Sequence, residues 1–152
     1  MSGRLDGKVV LISGTGGGQG RVAAQMFTAE GAKVVGCDVN EEAAAETQRL
    51  VADAGGDYVS LAPLDLGTRE GADRWVQEAV SAFGRVDVLY NNASLPKFGP
   101  IGAMPDEDWA FTLRNELDLV WHSTNAAWEQ LTANAGAVVN VASLAGLAGS
   151  RE

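Results

Sequence analysis

Short runs of apolar residues alternate along the chain with longer segments whose apolar residues recur at helical spacing. The first run, at Val9–Ser13, is almost continuously apolar, which is typical of a strand covered on both faces of a sheet. This pattern predicts strands at Val9–Ser13, Lys33–Asp38, Asp57–Pro63, Val86–Tyr90 and Ala137–Val141. It predicts helices at Gln19–Glu30, at Glu41–Ala54, from a cap at Thr68 through Phe83, and at Pro105–Ala133 with a short initial turn at Asp106–Trp109.

The order of these elements predicts the fold class. Five strands that alternate with four helices favour an α/β fold, in which a parallel sheet carries helices on both faces. No linker, low-complexity tract or repeat interrupts residues 1–152, so the sequence predicts a single domain.

The chain is acidic, with a net charge of −9 over 152 residues. It has no basic stripe that could neutralise phosphates, so neither a nucleic acid nor an anionic membrane surface is expected as a partner. No apolar run approaches the length of a membrane span. Cys37 is the only cysteine, which excludes a disulfide framework and a cysteine metal site, and no metal is expected. These features predict a soluble, cytoplasmic protein.

The turn between the first strand and the first helix is rich in glycine. Its glycines are Gly14, Gly16, Gly17, Gly18 and Gly20. Glycine permits positive φ, and its missing Cβ lets a pyrophosphate approach the backbone. The helix that begins near Gln19 then offers free N–H groups to that anion. Because this turn follows the first strand, the predicted α/β fold is a Rossmann-type doubly wound parallel sheet that binds a dinucleotide.

The spacing of these glycines fits two dinucleotide-binding patterns. Gly-x-x-x-Gly-x-Gly fits as Gly14, Gly18 and Gly20, whereas Gly-x-x-Gly-x-x-Gly fits as Gly14, Gly17 and Gly20. The common pattern Gly-x-Gly-x-x-Gly does not fit from Gly14, because it would need a glycine where Gln19 stands. The turn alone leaves both fitting patterns open.

An acid, Asp38, ends the second predicted strand. A carboxylate at this place can accept hydrogen bonds from both hydroxyls of an adenosine ribose and would repel a 2′-phosphate. No Arg or Lys directly precedes Gly20 or directly follows Asp38. NAD is therefore favoured over NADP as the cofactor. The alternative interpretation is an acid at a strand end that only water solvates.

Three further segments complete a resemblance to a known family. Residues 91–94 read NNAS after the fourth predicted strand, Asp65 follows the third, and Ser143 follows the fifth. Together with the glycine turn, they resemble the classical short-chain dehydrogenase/reductase family, in which the first of these segments usually reads NNAG. The NNAS segment favours this branch, with its Gly-x-x-x-Gly-x-Gly turn, over the extended, epimerase-like branch.

The resemblance implies an oxidoreductase that transfers hydride between the nicotinamide of NAD and a small to medium alcohol or carbonyl substrate. It implies two catalytic residues: Asn115, which would hold a water in a proton relay, and Ser143, whose hydroxyl would hydrogen-bond the substrate carbonyl. It implies cofactor contacts at Gly14, Gly16, Gly17, Gly18, Gln19, Gly20, Asp38, Val39, Asp65, Leu66, Asn92 and Ala93. The alternatives are a turn acid for Asp65, an exposed helical amide for Asn115 and a polar turn residue for Ser143.

The chain departs from the family pattern at three positions. Ser13 stands where Thr is usual, Ser94 where Gly is usual, and Glu116 where a small or apolar residue is usual. A side chain at position 94 fits only if the local φ suits a residue with a Cβ.

The catalytic Tyr-x-x-x-Lys pair of the family is not found in the sequence. Four residues after Tyr58 and Tyr90 come Ala62 and Ser94, so neither tyrosine begins the motif. By resemblance this pair and the last strands would follow Glu152, so the C-terminal part of the fold is expected to be absent from this chain. We therefore expect the 152-residue chain to bind NAD weakly or not at all and to be inactive in hydride transfer. A non-catalytic nucleotide-binding or interaction module is the alternative.

The long predicted helix carries Trp121 and Trp128, which are seven residues apart and share one face. The simplest interpretation is that this face is buried in the core. The resemblance offers an interface with a second subunit as the alternative, and an uncovered fifth strand would also favour association. We expect a homo-oligomer, in which Cys37 is buried and inert and His122 is a packed or surface residue.

Overall fold

The computed structural model describes residues 3–148 of the chain. The strands in this part are β1 (Val9–Ser13), β2 (Lys33–Cys37), β3 (Asp57–Leu61), β4 (Val88–Asn91) and β5 (Ala137–Asn140). They form one sheet in the order β3-β2-β1-β4-β5, and every neighbouring pair is parallel. Each strand prediction is confirmed to within two residues at either end.

The helices of the described residues are α1 (Gly18–Ala29), α2 (Glu41–Asp53), α3 (Arg69–Phe83), α4 (Asp106–Leu113) and α5 (Leu119–Ala133). A π-helical turn, Arg114–Asp118, joins α4 to α5, and a short 3₁₀ turn, Leu144–Gly146, follows β5. The prediction of one helix over Pro105–Ala133 is therefore wrong in its middle, where the wider π turn interrupts the α-helical hydrogen bonds. The predicted initial turn, Asp106–Trp109, is the first part of α4.

Caps explain where α2 and α3 begin and where α3 ends. The Asn40 side chain accepts a hydrogen bond from the Ala43 N–H at the start of α2. The Thr68 hydroxyl accepts one from the Gly71 N–H at the start of α3, so the predicted Thr68 cap is confirmed. Gly84 ends α3 with φ of 80°, a left-handed conformation that costs glycine little.

The sheet has an apolar core on each face, because successive strand residues point to opposite sides. On one face, Leu11 packs with Trp75 of α3 and Leu131 of α5. On the other face, Val10 and Ile12 pack beneath α1 and α2. The predicted doubly wound sheet with helices on both faces is therefore confirmed.

The exposed side of α5 contradicts one prediction. The buried residues of this helix recur at a spacing of four and are Leu119, Ser123, Ala127 and Leu131. Trp121 and Trp128 lie away from that stripe and are 63% and 58% exposed. The prediction that these tryptophans belong to the core is wrong, because smaller residues form the stripe that packs on the sheet.

Cys37, at the end of β2, is buried as predicted. Burial raises the pKa of its thiol well above the usual range, and the neighbouring Asp38 carboxylate raises it further. The thiol is thus held in its neutral form, which agrees with an unreactive cysteine. His122, in α5, is half-buried.

None of the helices in residues 3–148 combines the length and hydropathy needed to cross a membrane. In the same stretch, no three His, Cys, Asp or Glu side chains are grouped so that they could hold a metal ion.

Candidate functional site

A cleft of about 310 Å³ opens at the carboxyl ends of β1, β2 and β4. β1 lies between β2 and β4, so the direction in which the chain winds across the sheet reverses at this place. Open α/β sheets bind ligands at such a switch point. Of the predicted cofactor contacts, those that line the cleft are Gly14, Gly17, Asp38, Val39, Asp65, Leu66, Asn92 and Ala93.

The other predicted contacts of the glycine turn are Gly16, Gly18, Gln19 and Gly20, which do not line the cleft. Gly20 has a packing role, because a Cβ there would lie 2.0 Å from the Gly14 carbonyl oxygen. A Cβ on Gly17, in contrast, would meet nothing within 4 Å. The open space beside Gly17 adjoins the cleft and can admit a ligand.

The amino end of α1 differs from that of α2. Gly17, the N-cap residue of α1, has no side chain to accept a hydrogen bond, and the first turn contains no acid. α2 begins with the capping side chain of Asn40 and has Glu41 and Glu42 in its first turn. The N–H groups and the positive dipole end of α1 are therefore available to an anion.

Asp38 follows β2 and lines the cleft, where it is half-buried. Its Oδ2 accepts a hydrogen bond from the Gly16 N–H at 2.7 Å, and its Oδ1 accepts one from the Asn40 N–H at 2.8 Å. The carboxylate is thus fixed between the glycine turn and the start of α2. A Cβ on Gly16 would lie 2.8 Å from the Asp38 Cγ, so this contact needs glycine.

Beneath the turn lies a polar network that sequence reasoning missed. The Tyr58 hydroxyl donates to Thr15 Oγ1 at 2.9 Å, and the Thr47 hydroxyl donates to the Thr15 carbonyl at 2.6 Å. Arg21 donates through Nε to Thr47 Oγ1 at 2.9 Å and through Nη2 to the Gly16 carbonyl at 2.6 Å. Apart from Arg21 and Gly16, these partners are more than twenty residues apart, so no local pattern could have paired them.

The same network shows what Tyr58 does. Burial raises the pKa of its phenol, and this outweighs the hydrogen bond to Thr15, which lowers it. Tyr58 therefore holds the glycine turn as a neutral hydrogen-bond donor.

Ser13 and Asn92 join the carboxyl ends of β1 and β4. The Ser13 hydroxyl oxygen accepts hydrogen bonds from the N–H groups of Asn92 and Ala93, both at 3.0 Å. In return, the Asn92 Nδ2 donates to the Ser13 carbonyl at 2.9 Å. The hydroxyl at position 13 and the amide at position 92 thus form one structural unit under the cleft.

Asn91 links β4 to β5 and to α5. Its Nδ2 donates to Asn140 Oδ1 at 2.8 Å and to Thr124 Oγ1 at 3.3 Å. Asn91 and Asn140 are also partners in the register of β4 and β5. The two adjacent asparagines therefore connect β4 to β5 and α5 on one side and to β1 on the other.

Asp65 and Asn115 line the cleft from the loop after β3 and from the π turn. Asp65 Oδ1 accepts from the Gly67 N–H at 2.8 Å, and its Oδ2 accepts from Arg114 Nη2 at 2.5 Å. The Asn115 Nδ2 donates to the Phe111 carbonyl at 2.8 Å. Both side chains are oriented by contacts within the protein.

Ser143 lies after β5 and begins the 3₁₀ turn, where its hydroxyl oxygen accepts a hydrogen bond from the Ala145 N–H at 3.1 Å. The residue is exposed, and it is not among the described residues that line the cleft. The catalytic roles of Ser143 and Asn115 remain predictions.

Comparison with known proteins agrees with this geometry. The model of the short chain dehydrogenase family matches residues 8–152. The chain belongs to that family. The glycine turn, Asp38 and the NNAS segment therefore lie in a member of the short chain dehydrogenase family, and the predicted resemblance and Rossmann-type fold are confirmed.

Individual relatives match over nearly all of the chain. An uncharacterized oxidoreductase of Thermotoga maritima is 39% identical over 95% of this chain, and a meso-2,3-butanediol dehydrogenase of Serratia marcescens is 33% identical over 96%. The solved structure of an NAD⁺-bound xylitol dehydrogenase matches with a TM-score of 0.91 at 32% identity, over 97% of this chain. The chain spans 57% of the length of each of these three proteins.

Proposed function

We propose that this chain forms the NAD-binding part of an oxidoreductase that transfers hydride between nicotinamide and an alcohol or carbonyl substrate. The observation that carries the proposal is Asp38, a carboxylate fixed at the cleft by the N–H groups of Gly16 and Asn40. The names of the relatives, which include a butanediol dehydrogenase and a xylitol dehydrogenase, support an alcohol or carbonyl substrate.

The residues present fit such a dinucleotide. The open space beside Gly17 and the uncapped amino end of α1 suit a pyrophosphate, which needs N–H donors and room close to the backbone. Asp38 would bind the adenosine ribose, and Asp65 with Leu66 would border the adenine. Asn92 and Ala93 would border the nicotinamide end, with Gly14 between the two halves. NAD, when bound, supplies the ring that accepts or donates the hydride.

The charges near Asp38 favour NAD over NADP. A 2′-phosphate would bring a second negative charge beside the Asp38 carboxylate, and two like charges 4 Å apart repel by about 4 kcal/mol near a protein surface. Arg21 donates to Thr47 Oγ1 and to the carbonyl oxygens of Gly16 and Ala43, and these bonds hold its guanidinium within the protein.

Two side chains would act on the substrate. The Ser143 oxygen accepts the Ala145 N–H, so its own proton is left to donate to a substrate carbonyl oxygen. Asn115, held by its bond to the Phe111 carbonyl, would position a water at the cleft. These groups would steady the carbonyl and its proton supply during hydride transfer.

The first prediction tests the role of Asp38. Calorimetric titration of the chain should give tighter binding of NAD than of NADP. In Asp38→Asn the affinity for NAD should fall by about tenfold or more, because hydrogen bonds to a charged group contribute about 1.5–3 kcal/mol. The ratio of the two affinities should also move toward one, since the repulsive charge is gone.

Asp57→Asn is the matched control, because Asp57 is exposed at the amino end of β3, at the opposite edge of the sheet. This variant should bind both dinucleotides as the unaltered chain does. Equal affinity for NAD and NADP before any substitution, or an Asp38→Asn variant that keeps the preference for NAD, would contradict the proposal.

We also propose that the chain self-associates through its exposed apolar surface. Two exposed features form this surface: Leu117, Trp121 and Trp128 of the π turn and α5, and the strand β5, whose residues are all exposed. Contiguous apolar patches and uncovered sheet edges favour association between chains.

A further inference from the structure

The π turn places three consecutive side chains against two sides of the cleft. We propose that Arg114 and Glu116, here called the flanking pair, are positioning residues that fix the two walls on either side of Asn115. Arg114 would set the affinity for the adenosine half of the cofactor, and Glu116 the affinity for the nicotinamide half. This inference rests on the proposed function.

The Glu116 side chain holds the loop that follows β4. Its Oε1 accepts hydrogen bonds from the Ser94 hydroxyl and from the Leu95 N–H, both at 2.7 Å. Ser94 and Leu95 both line the cleft. Glu116 and Ser94 are also two of the positions at which the sequence departs from the family pattern. Their contact makes these two departures a single feature, in which the added hydroxyl and the added carboxylate satisfy each other.

The same loop is attached to α4 at a second place. The Lys97 N–H donates to Thr112 Oγ1 at 3.0 Å, and the Lys97 ammonium lies 5.3 Å from the centre of the Phe111 ring. The first residues of the loop are therefore ordered along α4 and the π turn before any ligand binds. A preordered wall lowers the entropy lost on binding.

The Arg114 side chain reaches the opposite wall of the cleft, in the loop that follows β3. Its Nη2 donates to Asp65 Oδ2, and the other Asp65 oxygen accepts from the Gly67 N–H. A Cβ on Gly67 would lie 3.1 Å from Arg114 Cγ, so the arginine packs directly over this glycine. Asp65 and Gly67 both line the cleft. Arg114 thus orients the loop that would border the adenine.

The local backbone explains why the side chains of Arg114 and Glu116 reach opposite walls of the cleft. Successive residues of an α-helix are rotated by roughly 100°, so the neighbours of a residue lie on its two flanks. Here the Leu119 N–H donates to the Arg114 carbonyl, five residues earlier, which widens the turn that carries the flanking pair. π turns of this kind are frequent at functional sites. The two walls and Asn115 are consequently linked through one short segment.

Two ligands distinguish the effect of Arg114 on binding from the effect of Glu116. AMP probes the adenosine half alone, and NAD probes both halves. Glu116→Ala should weaken NAD binding by about five- to tenfold and change AMP binding by less than twofold, because only the wall after β4 is released. Arg114→Ala should weaken AMP and NAD by a similar factor of about five. Glu129→Ala, an equivalent change at an exposed position of α5, should affect neither ligand.

Two further variants separate positioning from general loss of structure. Glu116→Gln keeps a carbonyl oxygen that can accept the Leu95 N–H, so it should restore most of the NAD affinity lost in Glu116→Ala. Ser94→Ala should cost less when it is added to Glu116→Ala than when it is made alone, because the two side chains share one hydrogen bond. Equal losses of NAD and AMP affinity in Glu116→Ala would overturn the proposal, as would no loss of either.

Amide hydrogen exchange tests the role of Glu116 without a ligand. The Leu95 N–H should exchange at least tenfold faster in Glu116→Ala than in the unaltered chain, since its acceptor is removed. If the unaltered chain bound neither AMP nor NAD, the proposed function would fail, and Leu95 exchange would still decide whether Glu116 fixes the wall. Unchanged exchange at Leu95 would overturn the role of Glu116 whatever the ligands do.

Discussion

β1 and β5 are short apolar strands of the same parallel sheet, but one is buried and the other is exposed. All residues of β1 (VVLIS) are buried, whereas all residues of β5 (AVVN) are exposed. β1 lies between two strands and beneath helices on both faces, whereas β5 has one neighbour, β4, among the described residues. An apolar run thus indicates that a segment can be buried, while its position in the sheet decides whether it is.

The same contrast separates the tryptophans. Trp75 of α3 is fully buried and donates its Nε1–H to the Val35 carbonyl at 3.2 Å. Trp128 of α5 is 58% exposed. The half of the molecule around β1 and β2 is therefore stabilised by burial and internal hydrogen bonds, while the half around α5 and β5 presents apolar surface to its surroundings.

The largest expected effect is the loss of folding stability when the buried tryptophan, Trp75, is truncated. Trp75→Ala should lower the free energy of unfolding by about 3–5 kcal/mol, because it leaves a large cavity and removes the hydrogen bond to the Val35 carbonyl. Trp128→Ala should change it by less than about 0.5 kcal/mol, as surface changes do. Urea unfolding of both variants measures the difference, and Trp75→Phe serves if Trp75→Ala does not fold. Similar losses in Trp75 and Trp128 variants would remove the contrast between the two halves.

A second, smaller effect concerns Asp87, which joins β4 to β1. Its buried carboxylate accepts hydrogen bonds from the Val9 N–H, from Arg85 and from Lys8. Burial by itself raises the pKa of Asp87, but these three partners together outweigh it, and the pKa lies below the usual value. The carboxylate therefore contributes stability above the unfolded-state pKa of about 3.9, and this stability is lost as the pH falls through the lower folded pKa.

Asp87→Asn should accordingly lower the free energy of unfolding at pH 7 by about 1–3 kcal/mol, a range discounted because Lys8 and Arg85 are half exposed. The dependence of stability on pH below about 4 should become shallower in this variant. Thermal melts between pH 3 and pH 7 measure both. An acid transition with the same slope in Asp87→Asn would show that other carboxylates control it.

Substitutions in the exposed half around α5 and β5 should have the smallest effect on the free energy of unfolding and the largest effect on self-association. Trp121→Gln combined with Val139→Lys should change the free energy of unfolding by less than about 1 kcal/mol and should reduce self-association, because it interrupts the apolar surface. Sedimentation equilibrium measures the change. Ile101→Gln, at a loop residue that is 92% exposed, is the control and should leave association unaltered. An unaltered chain that is monomeric at every concentration would contradict the proposal of self-association.

Local signals account for what the sequence predicted well. β1 is bounded by a continuous apolar run and a glycine turn, and Thr68 is a capping side chain directly before an amphipathic helix. Each of these depends on residues within one or two turns of chain. Asp38 lies at the cleft because it follows β2, and the carboxyl ends of neighbouring parallel strands meet at one edge of the sheet.

Long-range partners account for what the sequence could not provide. The bond between Tyr58 and Thr15, like that between Arg114 and Asp65, joins residues more than forty positions apart. The exposure of Trp121 depends on which side of α5 meets the sheet, and the apolar positions of that helix alone permit either side. The π turn has no composition of its own that would distinguish it from the helices it joins.

Gly16 has a consequence for protein engineering. Its N–H donates to Asp38 and its carbonyl accepts from Arg21, so both polar groups of this buried residue depend on side chains, one directly after β2 and one in α1. Replacing Asp38 to admit a cofactor with a 2′-phosphate would remove one partner of Gly16 and leave its amide unsatisfied. A redesign for such a cofactor should therefore supply a new acceptor for that amide in the same step, and a serine or asparagine at position 38 is the economical starting choice.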